Sequence, residues 1–378
     1  MIYLDNAATT RIKPDCVYKA YEYYLREIAV SPGRGSYTLG IKASRMLYEA
    51  RCTVAKYFGI SEPNVIFTKN STEAINLFLN GFLSQGDHVL ISCYEHNAVL
   101  RPLQTLKNKG IIDFTIISRN DLELDPVALY NKYARINTKL YVSTLASNLT
   151  GRVVYNADRI EYIKEKGIAT FVDASQGAAK VRLNLDGSKV DYIAFTAHKD
   201  LLGLPGVGGL VCKDIPNWAP LIQGGTGILG DNYINPSVFP EGYEAGTLNM
   251  PAIWAFKVAI DWLIDNHERL SKEERILTNY FIKELRKIPN IILYDSQFDR
   301  VGVVGLNIEG VKSNELVEYL DENDICVRGG IHCAILAHEA LSTKETGMVR
   351  FSLSWSTTRE EIDEVLSIIK KVSEKRCI

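Results

Sequence analysis

Short apolar runs alternate with amphipathic stretches over the first two thirds of the chain. Seven runs have the length and composition of buried strands, and they cover residues 64–67, 88–92, 114–118, 139–144, 169–174, 191–196 and 206–213. Between the strands, apolar residues recur with the period of a helix, as in residues 43–58, 71–83 and 156–167. This alternation predicts an α/β fold with a mainly parallel, seven-stranded sheet.

The pattern changes near residue 251. Two helical stretches, 252–267 and another that begins at residue 271, come first. They are followed in turn by a strand, a helix, a strand and a closing helix, at residues 302–310, 313–323, 348–355 and 358–375. We therefore expect a large domain over residues 15–255 and a smaller α+β domain built from residues 1–14 and 256–378.

Composition narrows the classes of function. The formal net charge is −2 and basic residues are spread along the chain, which argues against a nucleic-acid partner. No apolar run approaches the roughly 20 residues that span a bilayer, and the start MIYLDNAATT lacks the features of a signal peptide. We expect a cytoplasmic protein without membrane contact. The seven cysteines form no CxxC pair, so neither a zinc site nor a disulfide framework is predicted.

Polar residues follow the predicted parallel strands, at the ends that meet along one edge of the sheet. These residues are Asn70, Ser71, Thr72, Glu73, His96, Asn148, Asp173, Gln176, Thr196, His198 and Lys199. Each has an ordinary structural explanation when taken alone, such as a helix cap for Thr72. Together, a helix start suited to phosphate, an imidazole, a carboxylate and a lysine match the needs of pyridoxal 5'-phosphate (PLP).

The chemistry of PLP explains each residue type. A lysine amine can bond covalently to the aldehyde of PLP, which suits Lys199. A carboxylate beside the pyridine nitrogen keeps that nitrogen protonated, which suits Asp173. A flat side chain such as His96 can stack on the ring, and the Gln176 amide can reach the phenolic oxygen.

Six motifs carry a resemblance to a known family: YLDNAATT, TKNSTEAIN, EHNAV, DASQGAAK, TAHKDLLGLPGVGGL and EAGTLN. In order and spacing they resemble the class V aminotransferases of PLP fold type I, and most closely the cysteine desulfurases. The resemblance covers nearly the whole chain and implies the roles just given for Lys199, Asp173, His96 and Gln176. It also implies that the phosphate is bound by Thr72, Thr196 and His198, with Asn148 as a further cofactor contact. Thr247 would reach the phosphate in a partner subunit, which implies a homodimer.

The segment ICVRGGIHCAILAH, residues 325–338, supplies a second set of candidates. Arg328 could hold a carboxylate with paired hydrogen bonds, and Cys333 could act as a nucleophile. Taken alone, the segment is better explained by a turn with a buried thiol and a surface arginine. It resembles the Arg-x-Gly-His-His-Cys-Ala loop of the SufS-type (group II) desulfurases and selenocysteine lyases. That resemblance implies that Arg328 binds the substrate carboxylate and that Cys333 accepts sulfur.

The chain also departs from this pattern. Ile331 replaces the first histidine of the loop, while Gly33 and Tyr37 replace histidines of an earlier block in which Arg34 is kept. Arg34 is therefore a further predicted substrate contact.

The leading hypothesis is a cysteine desulfurase that converts L-cysteine to L-alanine. In this hypothesis Arg328 and Asn148 hold the substrate, Lys199 and His96 move protons, and Cys333 receives sulfur as a persulfide. A selenocysteine lyase or a cysteine-conjugate C–S lyase stays open as an alternative, as do an aminotransferase and a non-catalytic sulfur-assembly scaffold. The final sulfur acceptor, a protein or a small molecule, and any relay role for Cys377 also stay open.

Overall fold

The computed structural model describes residues 1–33, 35–60, 63–183 and 185–374. The strands in these ranges are β1 (Ile2–Tyr3), β2 (Val65–Thr68), β3 (Asp87–Ser92), β4 (Ile112–Ile117), β5 (Thr138–Thr144), β6 (Ala169–Asp173), β7 (Tyr192–Thr196), β8 (Gly208–Cys212), β9 (Ile291–Leu293), β10 (Val303–Ile308), β11 (Ile325–Cys326), β12 (Arg328–Gly330) and β13 (Met348–Ser352). The helices are α1 (Asp15–Tyr23), α2 (Thr38–Tyr57), α3 (Ser71–Phe82), α4 (Asn97–Asn108), α5 (Pro126–Tyr133), α6 (Ala157–Glu165), α7 (Leu185–Ser188), α8 (Met250–Leu285), α9 (Ser313–Asp321), α10 (Ile335–Ala340) and α11 (Arg359–Glu374).

The larger sheet has seven strands in the order β2-β8-β7-β6-β5-β3-β4. All of its neighbouring pairs are parallel except the two made by β8, which runs antiparallel to β2 and β7. The predicted mainly parallel seven-stranded sheet is therefore confirmed. Because the parallel strands point the same way, the residues that follow β2, β3, β5, β6 and β7 meet at one edge.

Side chains alternate between the two faces along each strand, so buried strands present apolar side chains on both faces of the sheet. Helices cover both of these faces. On one face Phe195 packs between Phe58 of the α2 end and Phe256 of α8, with ring centroids 5.6 and 5.5 Å away. On the other face Phe78 of α3 stacks on Phe171 of β6 at 4.6 Å. Burial of these aromatic pairs fixes the sheet between its helices.

The two helices predicted on either side of residue 270 form one continuous helix, so this prediction was wrong. Helix α8 runs without a break from Met250 to Leu285. Residues 267–271 contain neither glycine nor proline, and the buried positions Leu263, His267, Leu270 and Glu274 keep the spacing of one helical face. None of the helices in the described part of the chain is long and apolar enough to cross a membrane.

A second, antiparallel sheet has the order β12-β13-β10-β9. The first residues of the chain pair with segments close to this sheet. Strand β1 pairs in parallel with β11, and Asp5 forms a bridge to Ser352 at the end of β13. Helix α8 passes through the predicted domain boundary at residue 255, and the division into residues 15–255 and the rest stays a prediction.

One buried carboxylate ties the segment after β9 to the loops that follow β3 and β5. Asp295 accepts hydrogen bonds from Tyr94 Oη at 2.7 Å, from Thr150 Oγ1 at 2.9 Å and from the Arg119 guanidinium at 2.7 and 3.0 Å. A buried carboxylate needs this many donors to offset its desolvation. The network therefore fixes the loops that carry His96 and Asn148 against the smaller sheet.

Candidate active site

A cavity of about 240 Å³ lies at the carboxyl edge of the parallel strands. It is lined by Asn70, Ser71, Thr72, His96, Thr144, Asn148, Asp173, Ser175, Gln176, Thr196, His198 and Lys199. Eight residues predicted from the sequence to contact the cofactor are thus brought together. Thr247 lies in a larger adjoining cleft of about 540 Å³, which shares Asn70 and His198 with this cavity.

Lys199 reaches the cavity from the turn after β7. Burial lowers the pKa of its amine; the nearby Asp173 opposes this effect, and the positive charges of Arg350 and Arg328 add to it. A lowered lysine pKa favours the neutral amine, which is the form that can bond to a carbonyl or accept a proton.

Asp173 lines the cavity and Glu95 lies next to it, bonded to the lining residue Thr144, and the environments of the two carboxyl groups differ. Asp173 accepts hydrogen bonds from the amide of Ser175 at 3.0 Å and from its hydroxyl at 2.5 Å. Glu95 is fully buried, and within the described ranges its carboxyl accepts only from Ser92 Oγ at 2.5 Å and the Thr144 amide at 2.8 Å, both through one oxygen. Burial, with a smaller contribution from Asp173, raises the pKa of Glu95 to about 8. At neutral pH, Glu95 therefore adds little negative charge beside Asp173.

The start of α3 and the end of β7 provide an anion-binding corner. Asn70 caps α3 by accepting from the Glu73 amide at 3.0 Å, so Ser71 and Thr72 occupy the first turn, where helix amides are free. Thr196 Oγ1 and His198 Nδ1 are buried and have no hydrogen-bond partner among the described residues. Unpartnered buried polar atoms are costly, so this corner fits a phosphate group that would accept from them.

His96 presents a neutral imidazole to the cavity. Its Nδ1 accepts from the Ala98 amide at 3.0 Å, which leaves the ring proton on Nε2. Burial lowers the pKa of His96 to about 4, although Asp173 opposes the shift. The ring can therefore stack on a flat ligand and donate a hydrogen bond from Nε2.

Two predicted contacts already have partners within the protein. Gln176 Nε2 donates to the Ala7 carbonyl at 2.7 Å, and Asn148 Nδ2 donates to the His332 carbonyl at 2.8 Å. The amide donor of Gln176 is thus directed at the backbone, and its predicted contact with the phenolic oxygen stays a prediction. Asn148 connects the cavity to the segment that carries Cys333.

Cys333 lies exposed in a tight turn from Ile331 to Ala334, closed by a 3.0 Å bond from the Ala334 amide to the Ile331 carbonyl. His332 and Cys333 both adopt left-handed conformations, with φ of 52° and 55°. For residues other than glycine this costs about 1–2 kcal/mol each.

Contacts from outside the turn hold it in place. The Asn97 amide donates to the Cys333 carbonyl at 2.8 Å, Asn148 holds the neighbouring His332 carbonyl, and His332 Nε2 bonds the Met348 carbonyl at 2.9 Å. These hydrogen bonds hold Cys333 in a left-handed backbone conformation that would be unfavourable without them.

The model of the family described as aminotransferase class-V matches residues 2–365. The chain belongs to the class-V aminotransferases. It is 32% identical to a probable cysteine desulfurase of Methanothermobacter thermautotrophicus, over 98% of this chain and 94% of the relative. The fold is similar to an apo structure of cysteine desulfurase from Thermococcus onnurineus, with a TM-score of 0.90, 27% identity and coverage of 99% and 95%. It is also similar to the cysteine desulfurase CsdA (S-sulfonic acid) from Escherichia coli, with a TM-score of 0.87, 25% identity and coverage of 98% and 94%.

These comparisons confirm the predicted fold type and the predicted resemblance to cysteine desulfurases. The closer assignment to the SufS-type group stays a prediction. Two residues named from the sequence, Arg34 and Cys377, lie outside the residues that the structure describes.

Arg350 lies next to the candidate site of this class-V aminotransferase, because it bonds the backbone of Asn148, and it was not named from the sequence. It lies opposite Arg328 across β12 and β13, is almost fully buried, and bonds Asp5 Oδ1 at 2.6 Å and the Asn148 carbonyl at 3.0 Å. Its Nε has no partner among the described residues. The sequence did contain a signal, a single arginine inside the apolar strand MVRFSL. A charged side chain is rarely buried unless it has a partner or a function. Arg328, in contrast, is exposed.

Proposed function

We propose that this class-V aminotransferase is a PLP-dependent cysteine desulfurase, which converts L-cysteine to L-alanine and transfers the sulfur to Cys333. The observation that carries the proposal is the bond from Asn148 to the His332 carbonyl. It joins a cavity suited to PLP to a strained turn that presents a thiol. The names of the relatives support the same conclusion.

The residues of the cavity fit PLP. Thr72, Thr196 and His198 would hold its phosphate, where two buried polar atoms otherwise lack partners in the part of the chain that the structure describes. Asp173 would face the pyridine nitrogen, His96 would cover one face of the ring, and Lys199 would form the covalent link. When bound, PLP supplies an electron-withdrawing ring that stabilises negative charge at the substrate α-carbon.

The protein residues then bind the substrate and move its protons. Arg328 and Arg350, with Asn148, offer donors for the substrate carboxylate. Lys199 Nζ, whose pKa is lowered by burial, accepts the α-proton. His96 Nε2 is suited to exchange a proton with the substrate thiol. Arg34 stays a proposed substrate contact.

Sulfur transfer needs the thiol of Cys333 in its deprotonated form. Its sulfur forms a bond to the substrate sulfur while the substrate carbon–sulfur bond breaks. The electron pair of the broken bond stays with the carbon, which takes up a proton. Alanine is released and a persulfide remains on Cys333, for transfer to a protein or small-molecule acceptor.

We also propose a cytoplasmic homodimer, in which Thr247 contacts the cofactor phosphate of the partner subunit. In support, Thr247 lines a cleft beside the cavity together with Leu221 and Ile222, whose side chains are exposed. Tyr233 and Ile234, further along the same segment, are also strongly exposed. Apolar side chains on one segment favour a protein interface.

Replacement of Cys333 tests the proposal. Cys333→Ser should retain the absorbance of the lysine-linked cofactor but lose alanine release from L-cysteine, because a hydroxyl cannot accept the sulfur. The matched control is Cys326→Ser, which changes a half-buried thiol seven residues earlier. Lys199→Ala should abolish the cofactor absorbance.

Unchanged turnover in Cys333→Ser would refute the sulfur-transfer step. If selenocysteine or an S-substituted cysteine is turned over faster than L-cysteine, and this variant cleaves it at an unchanged rate, the protein is a lyase instead. Conversion of the substrate to a 2-oxo acid would identify an aminotransferase. A protein that does not bind added PLP would be a scaffold.

A further inference from the structure

Two cavities meet at His267, behind the loop that follows β6. The first, of about 410 Å³, is lined mainly by charged side chains: Lys180, Arg182, Glu268, Lys272, Glu274, Arg275, Asp299 and Arg300, with His267. The second, of about 190 Å³, is lined mainly by apolar and aromatic side chains: Tyr57, Phe58, Ala178, Leu183 and Ile264, with Lys56. Arg182 and His267 line both cavities, and neither cavity shares a lining residue with the cofactor cavity.

The imidazole of His267 has unused hydrogen-bonding capacity. Only 9% of it is exposed, and both ring nitrogens are buried without a hydrogen-bond partner among the described residues. Burial lowers the pKa of its imidazole, and the charges of Arg182 and Lys180 add to the effect. The neutral ring therefore has one unused donor and one unused acceptor, which normally occurs only where a ligand or water supplies the missing partner.

The charged cavity has an excess of positive charge. Lys180 and Glu274 form a buried ion pair at 2.8 Å and neutralise each other. Within the described ranges, Arg182, Lys272 and Arg275 have no ion-pair partner. Among the described residues that line this cavity, these three and Arg300 outnumber the two remaining acids, Glu268 and Asp299, so an anion at this position would be attracted.

The adjoining apolar cavity determines what kind of anion fits. Tyr57 and Phe58 give it aromatic walls, and the Tyr57 hydroxyl is already used by the Ala178 carbonyl at 3.0 Å. The side chains that remain there offer contact area rather than hydrogen bonds, which suits a flat apolar group. Arg182 and His267 line both cavities. A ligand that fills both would therefore have its apolar part on one side of these two residues and its charged part on the other.

We propose that these cavities form a second binding site, for a small aromatic molecule that carries a phosphate group. The ring lies between Tyr57, Phe58 and Ile264, the phosphate accepts hydrogen bonds from Arg182, and His267 donates to the same ligand. The site is separate from the cofactor cavity, and the proposal does not depend on the reaction that the protein catalyses.

Calorimetric titration with phenyl phosphate tests the site. The full chain is first loaded with PLP, so that the cofactor's phosphate corner is filled. We expect one phenyl phosphate per chain, and weaker binding of both inorganic phosphate and phenol, because each uses only one cavity. Absence of a binding heat at millimolar phenyl phosphate would overturn the proposal. Equal affinity for inorganic phosphate would overturn the role of the apolar cavity.

Two variants and a matched control complete the test. Arg182→Gln and His267→Ala should each weaken phenyl phosphate binding by about tenfold or more, as expected for the loss of one hydrogen bond to an anion. Arg269→Gln removes an exposed arginine from the same helix as His267 but outside both cavities, and should leave the affinity unchanged. Arg182 is exposed, so its replacement should not impair folding. Unchanged affinity in Arg182→Gln, or an equal loss in Arg269→Gln, would refute the site.

Discussion

Glu95→Gln should make the protein more stable, and the gain should depend on pH. The folded protein holds Glu95 mainly in its neutral form, because burial raises its pKa from 4.5 to about 8. The unfolded chain ionises the same residue freely above pH 4.5. Glutamine has the same shape, can accept from Ser92 and Thr144 as Glu95 does, and carries no proton that the unfolded state could release.

The magnitude follows from the two pKa values. A group whose pKa is raised on folding contributes its full stability below the unfolded pKa and loses it as the pH rises through the folded pKa. The advantage of Glu95→Gln is therefore near zero below pH 4.5 and increases between pH 4.5 and 8. At pH 7 it amounts to about 3 kcal/mol in the free energy of unfolding.

Urea unfolding at several pH values measures this difference. Both proteins should be compared at one protein concentration, because association would shift their apparent stabilities. Other residues with lowered pKa values, such as His96 and His198, are present in both proteins and cancel in the difference. Glu364→Gln, an exposed residue of α11, serves as the control and should show no pH-dependent gain. A difference that is the same at pH 5 and pH 8 would show that Glu95 does not titrate as the structure indicates.

Two further predictions concern positioning. Asn148→Ala removes the donor to the His332 carbonyl. Alanine release should therefore fall by about tenfold or more while the cofactor absorbance is retained. Loss of the cofactor instead would mean that Asn148 acts mainly on PLP. Gly302→Ala would bring a methyl group to 2.6 Å from Glu274 Oε1 and should destabilise the protein by about 1–3 kcal/mol, seen as a lower melting temperature. Gly225→Ala, where the added methyl meets no atom within 4 Å, is the control, and an equal effect there would contradict the steric explanation.

Much of the fold could be predicted from the sequence, because strand and helix periods are local properties. The strands and the polar residues at their ends are encoded in stretches of five to ten residues. Because parallel strands align their carboxyl ends, Lys199 and Asp173 were expected to meet although 26 positions separate them. Helix α8 was divided in error because two positions of its buried face near residue 270, His267 and Glu274, are polar and interrupt the apolar pattern.

Other features depend on contacts between distant segments and could not be predicted. The partner of Asn148 is a carbonyl 184 residues away, and Arg350 is stabilised by Asp5 at the other end of the sequence. No local pattern indicates that Glu95 is buried without ionising. The left-handed conformation of Cys333 was equally hidden, since only the surrounding hydrogen bonds make it acceptable.

The pairing of β1 with β11 has a consequence for how the chain is made. Residues 2 and 3 leave the ribosome more than 300 residues before their partners, residues 325 and 326. The seven strands of the larger sheet lie between residues 65 and 212, so that sheet can assemble while synthesis continues. The first strand must wait unpaired until then. Cys333 follows shortly after the partner strand β11, and so the proposed nucleophile is synthesised only after all seven strands of the larger sheet.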